Sequence, residues 1–196
     1  MKPHIALGVT LIELMVTVAM MAIVLTIGVP TFQDTLHNAV LTSEINEFVA
    51  TLNFARSEAV KRGVFVTVRK TSSSSSVGWE GGWQVFTDAD ADGELDSTTD
   101  QLLSVHEPLK PKYTLWGNNN FINRISYKPS GESNTFGSFA LCYTGVNGSP
   151  TKRSARLVTV NILGRISLAT DKNNDGILEK ISSDGTLTPL TSCTNP

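Results

Sequence analysis

No lysine or arginine occurs between Lys2 and Arg56, and residues 14–29 carry no charge of either sign. Charge is scarce overall: 17% of the 196 residues are Asp, Glu, Lys or Arg, against roughly 25% in an average soluble protein. The shortfall lies at the start, which separates a membrane-like N-terminal segment from a polar remainder. There is no basic excess, because 16 Lys and Arg face 18 Asp and Glu for a net charge of −2. That excludes the broad positive footprint behind non-specific nucleic-acid binding. Histidine and cysteine are rare: His4, His37 and His106 are isolated, and Cys142 and Cys193 lie far outside metal-ligand spacing. With no Ser or Cys nucleophile in a recognisable setting, neither an enzyme nor a cofactor is expected. The two cysteines form one disulfide or remain two thiols, and the compartment decides.

The apolar run LMVTVAMMAIVLTIGV at 14–29 is about as long as a bilayer-spanning helix. Extending it back to Val9 admits only Glu13. An ordinary signal peptide would be cut after such a run, at a small-residue pattern, whereas this run ends in Gly28-Val29-Pro30-Thr31-Phe32. The expected processing point precedes the run, at Gly8. A charged residue at the centre of a membrane helix costs roughly 2.5–3.5 kcal/mol, and less near its edge, so Glu13 calls for a partner. Cleavage after Gly8 would leave the new amine of Val9 about one turn away, and a neighbouring subunit's amine could reach Glu13 within packed helices. A place among the lipid headgroups is the alternative. Lys2 before the span, with no Lys or Arg after it until Arg56, orients the N-terminus to the cytoplasm and the bulk of the chain outside.

Beyond Pro30 a helical period continues. Val40/Leu41, Ile45, Phe48/Val49, Leu52, Ala55 and Ala59 recur at intervals of three and four, and Gly63 after Lys61-Arg62 supplies a stop. A continuous helix over residues 9–62 would be on the order of 80 Å long. Short β segments are expected at 64–69, 83–87, 125–127, 138–143, 157–162 and 165–168, with the serine run at 71–77 as a flexible loop. The fold class is α+β: a long N-terminal helix, transmembrane in its first half, packed against antiparallel β-sheet. The chain divides into a leader (1–8), a membrane or filament-core half-helix (9–30), an amphipathic half-helix (31–62) and a β-rich head (63–196).

The residues Gly8-Val9-Thr10-Leu11-Ile12-Glu13-Leu14 resemble the processing and assembly motif of type IV prepilins and type II secretion pseudopilins. The resemblance implies that a prepilin peptidase cuts after Gly8 and methylates the amine of Val9, which stands where the family usually has Phe. It implies that Glu13 guides docking among other pilins or pseudopilins. Pro30 falls where the family helix commonly bends. Ala55-Arg56-Ser57-Glu58-Ala59 and Gly81-Gly82-Trp83-Gln84-Val85-Phe86-Thr87-Asp88 look like the GspH/FimT branch of minor subunits, whose heads carry two β-sheets on the helix. The expected role is a minor pilin or pseudopilin that helps initiate or cap a pilus or pseudopilus. It would be a single-pass inner-membrane protein with a periplasmic head, and in that oxidising compartment Cys142 and Cys193 are expected to pair. Some FimT-like subunits bind DNA through a Gly-Arg-x-Arg motif. Gly164-Arg165-Ile166-Ser167 lacks the second Arg, which leaves Lys152, Arg153, Arg156 and Arg165 as candidate DNA contacts and DNA uptake as the alternative function.

Two segments, Asp88-Ala89-Asp90-Ala91-Asp92-Gly93 and Asp171-Lys172-Asn173-Asn174-Asp175-Gly176, follow the D-x-[DN]-x-D-G pattern of calcium loops. Asp96 and Glu179 take the ninth positions, but Thr99 and Ser182 stand where an EF-hand has its closing Glu. Asp88, Asp90, Asp92, Asp96, Asp171, Asn173, Asp175 and Glu179 are therefore candidate Ca²⁺ ligands, with polar β-turns as the alternative.

Overall fold

A computed structural model describes residues 9–74, 76–118, 120–145, 150–151, 153–181, 186–194 and 196. Gly8, with the rest of the 1–8 leader, and Lys152 lie outside the described residues. One helix, α1 (Leu11–Arg62), precedes β1 (Phe65–Lys70), a short 3-10 turn (Trp79–Gly81), β2 (Trp83–Asp88), β3 (Leu102–His106), β4 (Tyr113–Gly117) and β5 (Arg124–Tyr127). Then come β6 (Gly137–Tyr143), β7 (Ala155–Val160), β8 (Ile166–Leu168), β9 (Glu179–Ile181) and β10 (Leu187–Pro189).

The chain forms two compact units, one ending at His37 and the other Asn38–Pro196. In the first, every large apolar side chain between positions 9 and 29 is exposed. Their hydrophobicity therefore has no internal use and is available to lipid or to other helices. Pro30 lies inside α1, where its missing N–H removes one helical hydrogen bond.

In the second unit the expected stripe is the buried face of the helix. Leu41, Ile45, Phe48, Leu52, Ala55 and Ala59 are all at most 1% exposed, and their alternating four- and three-residue spacing keeps them on one side. The helix closes on Gly63, whose φ of 69° is the left-handed cap conformation and whose N–H donates to the Ala59 carbonyl at 2.9 Å.

Two four-stranded sheets, ordered β3-β2-β1-β5 and β4-β6-β7-β8, are antiparallel throughout, and β9 and β10 form a separate antiparallel pair. Val66, Val68, Trp83, Val85, Ile125 and Tyr127 of the first sheet share one core with Leu115, Phe139, Leu141, Val158 and Val160 of the second and with the helix stripe. Phe48 is its hub, meeting the rings of Trp79, Trp83 and Phe139 edge-on at 5.8, 5.0 and 4.8 Å. Such pairs add to plain area burial.

The second sheet is covered on its other face too. Ala140, Cys142, Ala155 and Leu157 form a smaller core with Leu178 and Leu190 of the C-terminal segment. This accounts for the nearly continuous apolar reading of β6 and β7.

Candidate functional site

The N-terminal motif opens on a helix cap. Thr10 Oγ1 accepts the N–H of Glu13 at 3.3 Å, and the Thr10 carbonyl accepts that of Leu14 at 3.2 Å. Glu13 thus lies in the first turn of α1, where the helix dipole favours a carboxylate. It is exposed among exposed apolar neighbours. A single charge on an uncovered apolar surface is the arrangement that a partner's amine would complete.

At the other end of α1, Arg56 does work that its place in a sequence motif does not disclose. Its Nε donates to the Gly131 carbonyl at 2.8 Å and its Nη2 to the Leu163 carbonyl at 3.1 Å. Those carbonyls belong to the loops that follow β5 and β7, so one guanidinium joins the helix to both sheets. Gly131 and Gly164 make this approach possible: both have positive φ, and a Cβ on Gly164 would lie 2.2 Å from the Gly131 oxygen.

Glu58 accepts from Arg62 Nε at 2.5 Å and lies 3.4 Å from Lys61 Nζ. The Arg62 hydrogen bond, outweighing partial burial and aided by Lys61, holds its carboxyl below the usual glutamate value. Lys70 is 4% exposed and donates to the carbonyls of Ser74 and Val77 at 3.0 and 2.9 Å. The serine-rich loop is therefore tied down at these points by a lysine whose pKa burial lowers.

Both Asp-rich segments fold as loops of one construction. Ala91 and Gly93 in the first, and Asn174 and Gly176 in the second, have φ of 63°, 77°, 61° and 90°. The Gly93 N–H donates to Asp88 Oδ2 at 3.1 Å, and the Gly176 N–H to Asp171 Oδ2 at 3.0 Å. Asp92 Oδ1 accepts from Glu94 at 2.7 Å, as Asp175 Oδ1 does from Ile177 at 2.8 Å. Asp88, Asp90 and Asp92 bring carboxylate oxygens within 4.8 Å of one another, and so do Asp171, Asp175 and Glu179. The Asp96 carboxyl is pushed up by loss of hydration and by the like charges of Asp92, Asp90, Asp100 and Glu94.

A third cluster had no sequence signal: Glu44 and Glu47 on the helix meet His106 from β3. His106 stacks on Trp83 with ring centres 3.9 Å apart, and its Nε2 is 3.2 Å from Glu47.

Among the described residues the candidate basic side chains Arg153, Arg156 and Arg165 are not gathered in one patch. Arg156 turns toward α1, donating from Nη2 to Asn38 Oδ1 at 3.3 Å and Thr42 Oγ1 at 3.1 Å, and burial lowers its pKa. Arg165 is exposed in the turn beyond the far end of β7, and Arg153 is exposed before its start. With Arg156 engaged on the helix and the other two at opposite ends of a six-residue strand, nothing in the arrangement favours DNA.

Cys142 and Cys193 form the expected disulfide, with Cα atoms 6.1 Å apart and a separation of 51 positions in sequence. It fixes the C-terminal segment to β6.

A model of the family described as type II transport protein GspH matches residues 44–164. The crystal structure of the type IV minor pilin FimU of Pseudomonas aeruginosa is similar at a TM-score of 0.53 and 22% identity, covering 66% of this chain and 88% of that one. A second crystal form of FimU gives 0.51 and 22%, covering 66% and 93%. EpsH, a minor pseudopilin of the Type 2 Secretion System of Vibrio cholerae, gives a TM-score of 0.43 at 16% identity over 65% of this chain and 94% of that one. At these identities the likeness to FimU is one of fold. No curated protein sequence matches the chain.

Proposed function

Because the chain belongs to the GspH family, structural pilin-like subunits and not enzymes, we propose that it is a processed minor subunit that helps initiate or cap a type IV pilus or a type II secretion pseudopilus. The observation that carries this reading is the N-terminal half of α1. It is a helix whose large apolar residues from 9 to 29 are all exposed, interrupted by Glu13 alone. Such a surface suits a bilayer before assembly and a bundle of like helices after it. Prepilin peptidase cuts after Gly8, and Val9 carries the methylated amine. Glu13 then accepts the amine of an adjacent subunit, which relieves the cost of a lone carboxylate among apolar side chains. The chain spans the inner membrane once, with the head in the periplasm, an orientation supported by Lys2 and by the absence of any further Lys or Arg until Arg56.

Mass spectrometry of the N-terminus, on full-length protein from cells with and without a prepilin peptidase, tests the processing step. The expected product begins at Val9 and carries one added methyl group only when the peptidase is present. A mature terminus at Met1, or after Gly28, would overturn the reading. Glu13→Leu is expected to leave the protein processed and resident in the membrane but absent from sheared or purified filaments.

A further inference from the structure

We propose that two strand-connecting loops of the head, residues 88–96 and 171–179, each bind one Ca²⁺ ion, which goes beyond the assembly role. Each loop offers oxygen donors at its first, third, fifth and ninth positions: Asp88, Asp90, Asp92 and Asp96 in one, Asp171, Asn173, Asp175 and Glu179 in the other. The two share no other sequence pattern, yet they adopt the same alternation of left-handed residues. They also make the same bonds from the sixth and seventh N–H groups to the first and fifth carboxylates. In the first loop these bonds fall on Asp88 Oδ2 and Asp92 Oδ1, and in the second on Asp171 Oδ2 and Asp175 Oδ1, with Asp175 Oδ2 accepting from Asn173 Nδ2 at 2.9 Å.

Loop shape and acidity alone do not make a metal site, and a second observation points to one. Asp88 is fully buried, and its Oδ1 has no hydrogen-bond partner. Glu179 is 3% exposed, and its Oε1 has none either. A buried carboxylate oxygen with nothing to accept from is costly and uncommon in native proteins. Here Asp88 in the first loop and Glu179 in the second each bring an oxygen within 4.8 Å of two other acids. A cation among those oxygens satisfies the orphan and cancels the repulsion together.

The donors are all oxygen, which selects a hard cation. A cage built mainly from protein oxygens with flexible spacing suits Ca²⁺, whereas Mg²⁺ tends to keep several of its waters. The missing twelfth-position Glu does not disqualify the loops. In an EF-hand that residue stands on a following helix, but Glu179 is already the first residue of β9, and Asp96 lies on the way into β3. The ninth-position Glu179 closes the second loop instead, and in the first the converging acids are Asp88, Asp90 and Asp92. Asp100 is a shaping residue, since its Oδ1 and Oδ2 accept from the N–H groups of Ala89 and Asp96 at 3.0 and 2.9 Å. Arg69 and Arg124 donate to the carbonyls of Gly93 and Asp92, and Arg69 also pairs with Glu94, which steadies the first loop without engaging Asp88, Asp90 or Asp92.

The test is equilibrium dialysis of the full chain, in neutral detergent, against Ca²⁺ in excess of Mg²⁺. Dissociation constants of roughly 10⁻⁴–10⁻³ M are expected, the range of sites outside the cytoplasm. The wild type should take up two ions, the double variants Asp90→Asn/Asp92→Asn and Asp171→Asn/Asp175→Asn one each, and the combined variant none. Asn retains the side-chain oxygen that shapes each turn while removing the charge, so the variants should melt like the wild type in chelator. The rise in melting temperature that Ca²⁺ gives the wild type should be absent from the combined variant. Uptake of fewer than two ions by the wild type, or uptake that the substitutions leave unchanged, overturns the proposal. A measurement on wild type alone guards against misfolded variants: Ca²⁺ should slow hydrogen exchange at the Gly93 and Gly176 amides, and unchanged exchange there also overturns it.

Discussion

Among single residues, Arg56 carries the heaviest structural duty for its exposure. Two backbone carbonyls from loops of different sheets depend on one guanidinium, and the planar fork lets a single group reach both. Arg56→Ala should cost about 1–3 kcal/mol, because it strands the part-buried Gly131 acceptor as well as removing two hydrogen bonds. Arg56→Lys should recover only part of this, since an ammonium lacks the fork. Denaturant unfolding of the full chain, followed by tryptophan fluorescence, measures both; an Arg56→Ala midpoint equal to wild type would show that the carbonyls find other donors. The sequence marked Arg56 as part of a motif but gave no reason for it, because its partners lie 75 and 107 positions away. Glycines offered the only hint. Gly131 and Gly164 sit in unremarkable polar turns, and the need for them appears only once the two loops are seen to touch.

At the level of elements, periodicity decided what could be foreseen. The helix stripe from Leu41 to Ala59 was plain because each of its residues repeats every three or four positions and faces one core. The strands β1, β2, β5, β6, β7 and β8 announced themselves through β-branched and aromatic runs, with ends a residue or two from those expected. For β7 the structure runs Ala155–Val160 in place of 157–162. By contrast, β3 is an outer strand whose burial follows no alternation, and β9 and β10 are three residues each, too short for a pattern to emerge. Tyr113–Gly117 does alternate, but it follows Lys110-Pro111-Lys112, which reads as loop. The disulfide was legible because the sequence offers only two cysteines to pair. The Glu44, Glu47 and His106 cluster was not, since it joins a helix face to an edge strand by tertiary packing. Phe48, on which three aromatic rings converge, tests the helix-to-sheet interface directly. Phe48→Ala should destabilise the head by about 3–5 kcal/mol through lost burial and the cavity left behind. Phe48→Leu should cost less than half of that. Equal losses for the two would mean that the site collapses around the smaller side chain.

The molecule as a whole divides its hydrophobic surface between two purposes. The described residues from 9 to 37 keep theirs uncovered, while Asn38–Pro196 close around a core of aromatic and branched side chains. The second sheet is enclosed from both sides because the C-terminal segment supplies Leu178 and Leu190 to its outer face, and the Cys142–Cys193 bridge holds that segment there. If the chain is built into a filament as proposed, load on that filament reaches the head, and the bridge sets how far the head can stretch. Residues between the two cysteines cannot pay out when the ends of the chain are pulled apart. A loop of 51 residues is thereby withheld from extension, about 170 Å at full stretch. Single-molecule pulling on the intact chain should show an unfolding step that lengthens by that amount once the disulfide is reduced, and an unchanged step would mean that the bridge lies outside the path of the load. The covalent link thus acts as a strain limiter, so that a head torn open by force keeps a quarter of its chain short and ready to refold.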